Sequence, residues 1–146
     1  MSTLAARNLV VLPLADVDHG NINRMCQALA QGLLQCGLEP AIIDYREPGE
    51  APFRHLERLV SSGRVLSIIA MNAVGFPLVA HDMIARQRIR LFVFGTDHPC
   101  HLYPLMEVAP AGTTLSFPSA SNLNCCRGWG LDHFDFLHIA HGAEPR

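Results

Sequence analysis

Short runs of apolar residues alternate along this chain with longer segments in which apolar positions recur every three to four residues. The runs are nearly continuous, which is typical of strands buried on both faces of a parallel sheet. They predict six strands, at residues 8–14, 41–45, 65–73, 89–95, 113–117 and 136–140.

Helical spacing follows each of the first three runs. The first helix presents one apolar face, with Ile22 near its start and Leu34 near its end, and Gly37 stands where a left-handed residue commonly ends a helix. Pro52 suits the first residue of the second helix, and a third helix is predicted from Leu78 to Arg88. The alternation predicts a Rossmann-like α/β fold, an open doubly wound and mostly parallel sheet of about six strands with helices on both faces.

The length of 146 residues favours a single domain spanning 1–146, in which residues 142–146 look like the start of a connector. Hydrophobic residues make up 49% of the chain, but no apolar run approaches the roughly 20 residues of a membrane helix. The N-terminus lacks the long apolar stretch of a signal peptide. We therefore expect a cytoplasmic protein without a membrane span.

The charged residues exclude several kinds of site. The net charge is −2 and gives no reason to expect a nucleic-acid partner. All 11 cationic residues are arginines, and the lack of lysine excludes a Walker-A phosphate loop and a Schiff-base lysine. The 5 cysteines are odd in number and have no CxxC spacing, so reduced thiols are expected.

Polar residues collect in the loops that follow the strands. Ligands of open α/β sheets bind beyond the carboxyl ends of the strands, where these loops meet. The loops that we expect at this edge span residues 16–23, 72–77, 96–103 and 118–124. GxGxxG and phosphate-loop signatures are absent, so no cofactor is predicted.

The loop after the first strand contains Asp18, His19 and Asn21. His19 is a candidate general base that Asp16 or Asp18 could orient, with Asp18 and Asn21 as candidate substrate contacts. The alternative is that Asp18 or Asn21 caps the following helix and His19 is solvated. Asn72, after the third strand, could bind a ligand hydroxyl or form a local Asx turn.

The loop after the fourth strand, TDHPCHLYP, is a cluster of polar residues. Asp97 and His98 are candidate catalytic or ligand-contacting residues, and Thr96 and His101 are candidate substrate contacts. The alternative is that Asp97 caps local backbone N–H groups. A zinc site is not predicted, because His98, Cys100 and His101 would point apart on an extended chain.

Several segments resemble the N-terminal half of bacterial GT-B glycosyltransferases. They are TDHPCHLYPLME, a strand ending in MNAVGF, the opening DHGNINRMCQALAQGLLQCGLEPAIIDY, and FLHIAHGAEP at the end. The resemblance implies an acceptor-side domain that binds a sugar or glycan and places Asp18, His19, Asp97 and His98 at the cleft. In that family a C-terminal domain holds most of the nucleotide sugar, so this chain alone would not be a competent transferase.

A second hypothesis is a stand-alone, non-catalytic Rossmann-like module for binding or assembly. Fold alone does not separate this from an enzyme. The distinguishing feature is whether His19, Asn72 and Asp97 converge on one cleft or are each used in local caps. An apolar chain without a covering domain is also expected to expose apolar surface, which predicts a homodimer.

Overall fold

The structure of the protein, a computed structural model, describes residues 7–14, 21–72, 78–131 and 133–139. The six strands are β1 Leu9–Leu14, β2 Glu39–Asp44, β3 Val65–Met71, β4 Arg90–Phe94, β5 Thr114–Phe117 and β6 Asp135–His138. The helices are α1 Asn21–Gln35, α2 Ala51–Ser61, α3 Leu78–Arg86, α4 Tyr103–Met106 and α5 Ala120–Gly128. A single 3₁₀ turn, Pro99–His101, precedes α4 in this part of the chain.

The strands form one parallel sheet in the order β2-β1-β3-β4-β5-β6. This confirms the predicted six-stranded, Rossmann-like α/β fold. The chain passes from β1 to β2 on one side and then returns across β1 to β3, from which it proceeds outward to β6. The direction of winding therefore reverses between β1 and β3, the position at which ligands of such sheets bind.

Alternating side chains divide the sheet into two faces. One face carries the large core cluster, which includes Val11, Ile68 and Leu115 and receives side chains from α2, α3, α4 and α5. On the opposite face, which we call the α1 face, Val10 and Leu12 pack against α1. Helices thus lie on both faces, but four of the five described helices contribute to the same one.

Several local predictions are confirmed. Gly37 and Gly63 follow α1 and α2 with φ of 75° and 71°, the left-handed conformation expected at a helix end. Pro52 lies in the first turn of α2. Strand and helix boundaries differ from the predicted ones by up to two residues.

Two helices were not predicted from the sequence. α4 has only 4 residues, too few for a periodic pattern. α5 has a weak pattern because its buried residues are only Leu123 and Cys126. Both helices join the large core cluster, α4 through Met106 and α5 through Leu123 and Cys126, and α5 contacts β5 and β6.

Within the described ranges, no helix is long and apolar enough to cross a membrane. The predicted connector at residues 142–146 lies outside these ranges.

Candidate functional site

The candidate site lies where β3 and β4 end, beside the reversal of winding. Met71 and Phe94 are paired in register at the carboxyl ends of these strands. The two strands therefore leave the sheet side by side, β3 at Asn72 and β4 at the segment that begins with Gly95. The backbone N–H of Asn72 continues the pairing by donating to the carbonyl of Phe94 at 2.8 Å.

The side-chain amide of Asn72 joins the two strand ends. Its Oδ1 accepts from the backbone N–H groups of Thr96, at 2.6 Å, and Asp97, at 3.3 Å. Its Nδ2 donates to Thr96 Oγ1 at 2.7 Å and to Asp97 Oδ2 at 2.9 Å. An amide has two acceptor sites and two donor protons, so these four hydrogen bonds use its full capacity.

This arrangement differs from both interpretations of Asn72 drawn from the sequence. Neither a local turn nor a direct ligand contact uses the amide, because it is occupied by residues 24 and 25 positions further along the chain. Asn72 is 5% exposed and has a φ of 52°. Asparagine tolerates this left-handed conformation better than most residues, which explains its use here.

Thr96 and Asp97 keep hydrogen-bonding capacity after binding Asn72. Asp97 is exposed, and within the described residues its Oδ1 has no hydrogen-bond partner. Thr96 Oγ1 accepts from Asn72, which leaves its hydroxyl proton available as a donor. One donor and one acceptor thus remain side by side at the strand end.

His98 provides a local cap, the role that one of the two interpretations of the sequence gave to Asp97. It occupies the N-cap of the 3₁₀ turn, where its Nδ1 accepts from the backbone N–H of Cys100 at 3.3 Å. A neutral His98 would therefore carry its proton on Nε2. In the described part of the chain, neither His98 nor His101 hydrogen-bonds a carboxylate, so no Asp–His pair forms at this loop.

The remaining predicted residues have different positions. Asp18 and His19 lie outside the described residues, so the capping and catalytic hypotheses for that loop remain predictions. Asn21 is the first residue of α1, rather than part of a loop. His101 is exposed at the end of the 3₁₀ turn. No group of three His, Cys, Asp or Glu residues in the described ranges could hold a metal ion.

An aromatic pocket lies beside the 3₁₀ turn. It is open, has a volume of about 390 Å³, and is lined by Cys100, Tyr103 and Trp129. The Tyr103 and Trp129 rings meet edge to face, with centroids 5.2 Å apart and an angle of 90° between their planes. The hydrogen bond of Tyr103 to Glu107, and the charge of that carboxylate, raise the pKa of Tyr103.

Trp129 follows α5 directly and is 37% exposed. Sequence reasoning did not predict the pocket, because Tyr103 and Trp129 are 26 positions apart and share no motif.

The five cysteines are free, and they differ in burial. Cys36 and Cys100 are exposed, whereas Cys26 and Cys126 are buried. Burial raises the pKa of Cys26, and burial together with the neighbouring Cys125 raises the pKa of Cys126 to about 11. The thiolate is the reactive form of cysteine, so both buried thiols are expected to be unreactive near neutral pH.

We expect iodoacetamide at pH 7.5 to label Cys36 and Cys100 rapidly in the folded protein, and Cys26 and Cys126 only after unfolding in guanidinium. Peptide mass spectrometry over a time course measures this order. Because the pKa of Cys126 is about 11, raising the pH to 9 should still leave it unlabelled. Rapid labelling of Cys126 in folded protein would contradict its burial on the core side of α5.

Comparisons with known proteins identify no family for this chain. No protein-family model matches it, and no curated protein does. One solved structure that matches is a periplasmic binding protein/LacI transcriptional regulator from Alkaliphilus metalliredigens QYMF, complexed with D-xylulofuranose. The identity is 16% and the TM-score 0.45, and the match covers 94% of this chain and 58% of the other.

These comparisons correct the expectation drawn from sequence resemblance. The identification as an acceptor-side domain of a GT-B glycosyltransferase is wrong, since the matching structure is a periplasmic binding protein/LacI regulator. The expected transferase function is wrong for the same reason. The resembling segments consist of strand ends, turns and one helix–strand unit, α1 with β2, and elements of these kinds occur in many α/β sheets.

Proposed function

We propose that this chain is a non-catalytic binding module that holds a small, uncharged, hydroxyl-rich ligand where β3 and β4 end. The observation that carries the proposal is the amide of Asn72, which fixes Thr96 and Asp97 through four hydrogen bonds. A binding site needs polar groups held in defined positions, and these two residues meet that need.

The free groups match the chemistry of a hydroxyl. A ligand hydroxyl can donate to Asp97 Oδ1 and accept from the hydroxyl of Thr96, so one group would use both. Hydrogen bonds to a charged acceptor are the stronger kind, which makes Asp97 the main contact. An anionic ligand is disfavoured, because the carboxylate of Asp97 would repel it.

Sugars and other polyols belong to this ligand class, in agreement with the sugar or glycan partner expected from the sequence. The second, nucleotide-sugar-binding domain was inferred from the glycosyltransferase resemblance and is not retained. His19 as a general base and a cytoplasmic location both remain predictions from the sequence.

We expect Asp97→Asn to raise the dissociation constant for a bound polyol by about tenfold or more, since it replaces a charged acceptor by a neutral one. A panel of neutral pentoses, hexoses and linear polyols is titrated into the protein, with sugar phosphates in parallel. Binding is followed by calorimetry and by amide chemical shifts of Thr96 and Asp97.

Asp82→Asn is the matched control, because Asp82 is an exposed carboxylate on α3 outside the site. It should leave the dissociation constant unchanged. Tighter binding of sugar phosphates than of neutral sugars would contradict the proposal, as would equal binding by Asp97→Asn and the wild type. Failure of every neutral polyol to bind would also overturn it.

A further inference from the structure

The α1 face of the sheet is unevenly covered. α1 contacts β1 and β2, and in the described ranges it is the only helix whose buried side chains join the apolar clusters of this face. At the end of β4, Phe94 packs against the cluster that includes Cys26 of α1. The rest of the α1 face of β4, and that of β5 and β6, carries no described helix. Parallel sheets are normally covered on both faces.

The residues on this part of the α1 face follow from strand alternation. In β4, Leu91 and Val93 enter the large core cluster, so Arg90, Phe92 and Phe94 point to the α1 face. Register places Thr114 of β5 beside Phe92, and Asp135 of β6 beside Thr114. Two residues after Asp135, Leu137 lies on the same face.

We name Arg90, Phe92, Thr114, Asp135 and Leu137 the outer patch. Phe92 and Thr114 are half-buried, and Leu137 is 45% exposed, a large fraction for a leucine on a parallel strand. Arg90 and Asp135 are exposed, and neither forms an ion pair within the described part of the chain. The patch thus has Arg90 and Phe92 on β4, Thr114 on β5, and Asp135 and Leu137 on β6. A cation lies on one side of β5 and an anion on the other, each with an apolar side chain on the same strand.

The charges of the outer patch are complementary to those of a second copy of the same patch. A two-fold axis running along β5, above the sheet, would place β4 of one copy over β6 of the second. Arg90 would then lie near Asp135 of the second copy, and the pair would occur twice. Along the strands, Arg90 precedes the row of Asp135 by two residues, roughly 6.6 Å, an offset that an arginine side chain can span.

We propose that the outer patch is the interface of a two-fold symmetric dimer in which two copies of this chain pack sheet against sheet. The apolar side chains of Phe92 and Leu137 lose contact with water, and the two Arg90–Asp135 pairs fix the orientation. This surface is on the face of the sheet and differs from the ligand site at the strand ends, so the two proposals are independent. It also gives the expected homodimer a defined location.

Reversing the charges of Arg90 and Asp135 tests whether a second copy of the chain covers the outer patch and whether the two copies are oriented as proposed. Sedimentation velocity measures dimerisation of the wild type across a concentration series. Arg90→Glu and Asp135→Arg should each raise the dimer dissociation constant at least tenfold by placing like charges together. The double variant R90E/D135R should restore dimerisation to within threefold of the wild type, because the pairs re-form with their signs exchanged.

The controls are Arg58→Glu and Glu57→Arg, which change the net charge by the same amounts on exposed positions of α2, in the opposite layer. Both should dimerise like the wild type. Circular dichroism melting verifies that every variant is folded. A wild type that stays monomeric at several hundred micromolar would overturn the proposal. So would single variants that dimerise normally, or a double variant that stays monomeric.

Discussion

Replacing Asn72 by alanine is expected to lower the free energy of unfolding by about 2–4 kcal/mol. The change removes four hydrogen bonds from an amide that is 5% exposed, and it leaves the N–H groups of Thr96 and Asp97 without their acceptor. Alanine also tolerates the φ of 52° less well than asparagine. Urea denaturation followed by circular dichroism measures the loss.

Two further substitutions of Asn72 separate the contribution of its side-chain hydrogen bonds from that of its left-handed backbone conformation. Asn72→Gly permits the left-handed backbone but lacks the amide, so its loss should come from the hydrogen bonds. Asn72→Asp keeps the acceptor oxygen and replaces Nδ2 by a carboxylate oxygen at the position 2.9 Å from Asp97 Oδ2. Repulsion between the carboxylates should raise the pKa of the introduced carboxyl in the folded state.

The sign of the resulting pH dependence is defined. A carboxyl whose pKa is higher in the folded than in the unfolded state binds more protons when folded, so stability falls as pH rises through that pKa. Asn72→Asp should therefore be closer to the wild type at pH 4 than at pH 7. Two results would show that the amide does not hold the two strand ends together. One is that Asn72→Asp loses the same free energy of unfolding at pH 4 and at pH 7, and the other is that Asn72→Ala is as stable as the wild type.

Replacing Gly95 by alanine is the second large effect that we expect, at about 3 kcal/mol of destabilisation. A Cβ at this position would overlap the ring of Phe117, with Cδ1 at 2.6 Å and Cζ at 2.8 Å. Phe117 is fully buried, so its ring has no free space into which it can turn. The N–H of Gly95 also donates to the carbonyl of Ser116 at 2.7 Å, which limits movement of the backbone.

Gly32→Ala is the matched control, because Gly32 lies within α1 and a Cβ there meets nothing within 4 Å. It should stabilise the protein by about 0.5–1 kcal/mol through helix propensity. Phe117→Leu should relieve part of the overlap, so G95A/F117L should lose less stability than the sum of the two single losses. If the two losses of stability are additive, the destabilisation by Gly95→Ala does not come from overlap with the Phe117 ring.

The fold was largely predictable because the inner strands of this parallel sheet are apolar over most of their length. NLVVLPL and VLSIIAMNA are readable as strands without any partner, and glycines such as Gly37 mark helix ends by a local conformational requirement. α5 was not predicted, because its partners are in the large core cluster and it needs only Leu123 and Cys126 to join them. Tertiary burial, rather than helical periodicity, defines this helix.

The candidate site was predictable in position but not in connectivity. Residues that follow parallel strands share one edge, which is why Asn72 and Asp97 were expected near each other. Their hydrogen bonds depend on the register of β3 with β4, and a shift of that register would move the amide away from Thr96. His98 and Asp97 are both able to cap a turn. The 3₁₀ turn begins at Pro99, which places His98 rather than Asp97 at its N-cap.

The Asn72 amide has a consequence for how a ligand would be bound. It holds the backbone and side chains of Thr96 and Asp97 in place through groups of its own chain. A ligand at this edge would therefore meet a preorganised donor and acceptor, and little conformational entropy would be lost at these residues on binding. Binding at such a site would rely on a few hydrogen bonds to groups already in place, and the strand ends would not need to rearrange.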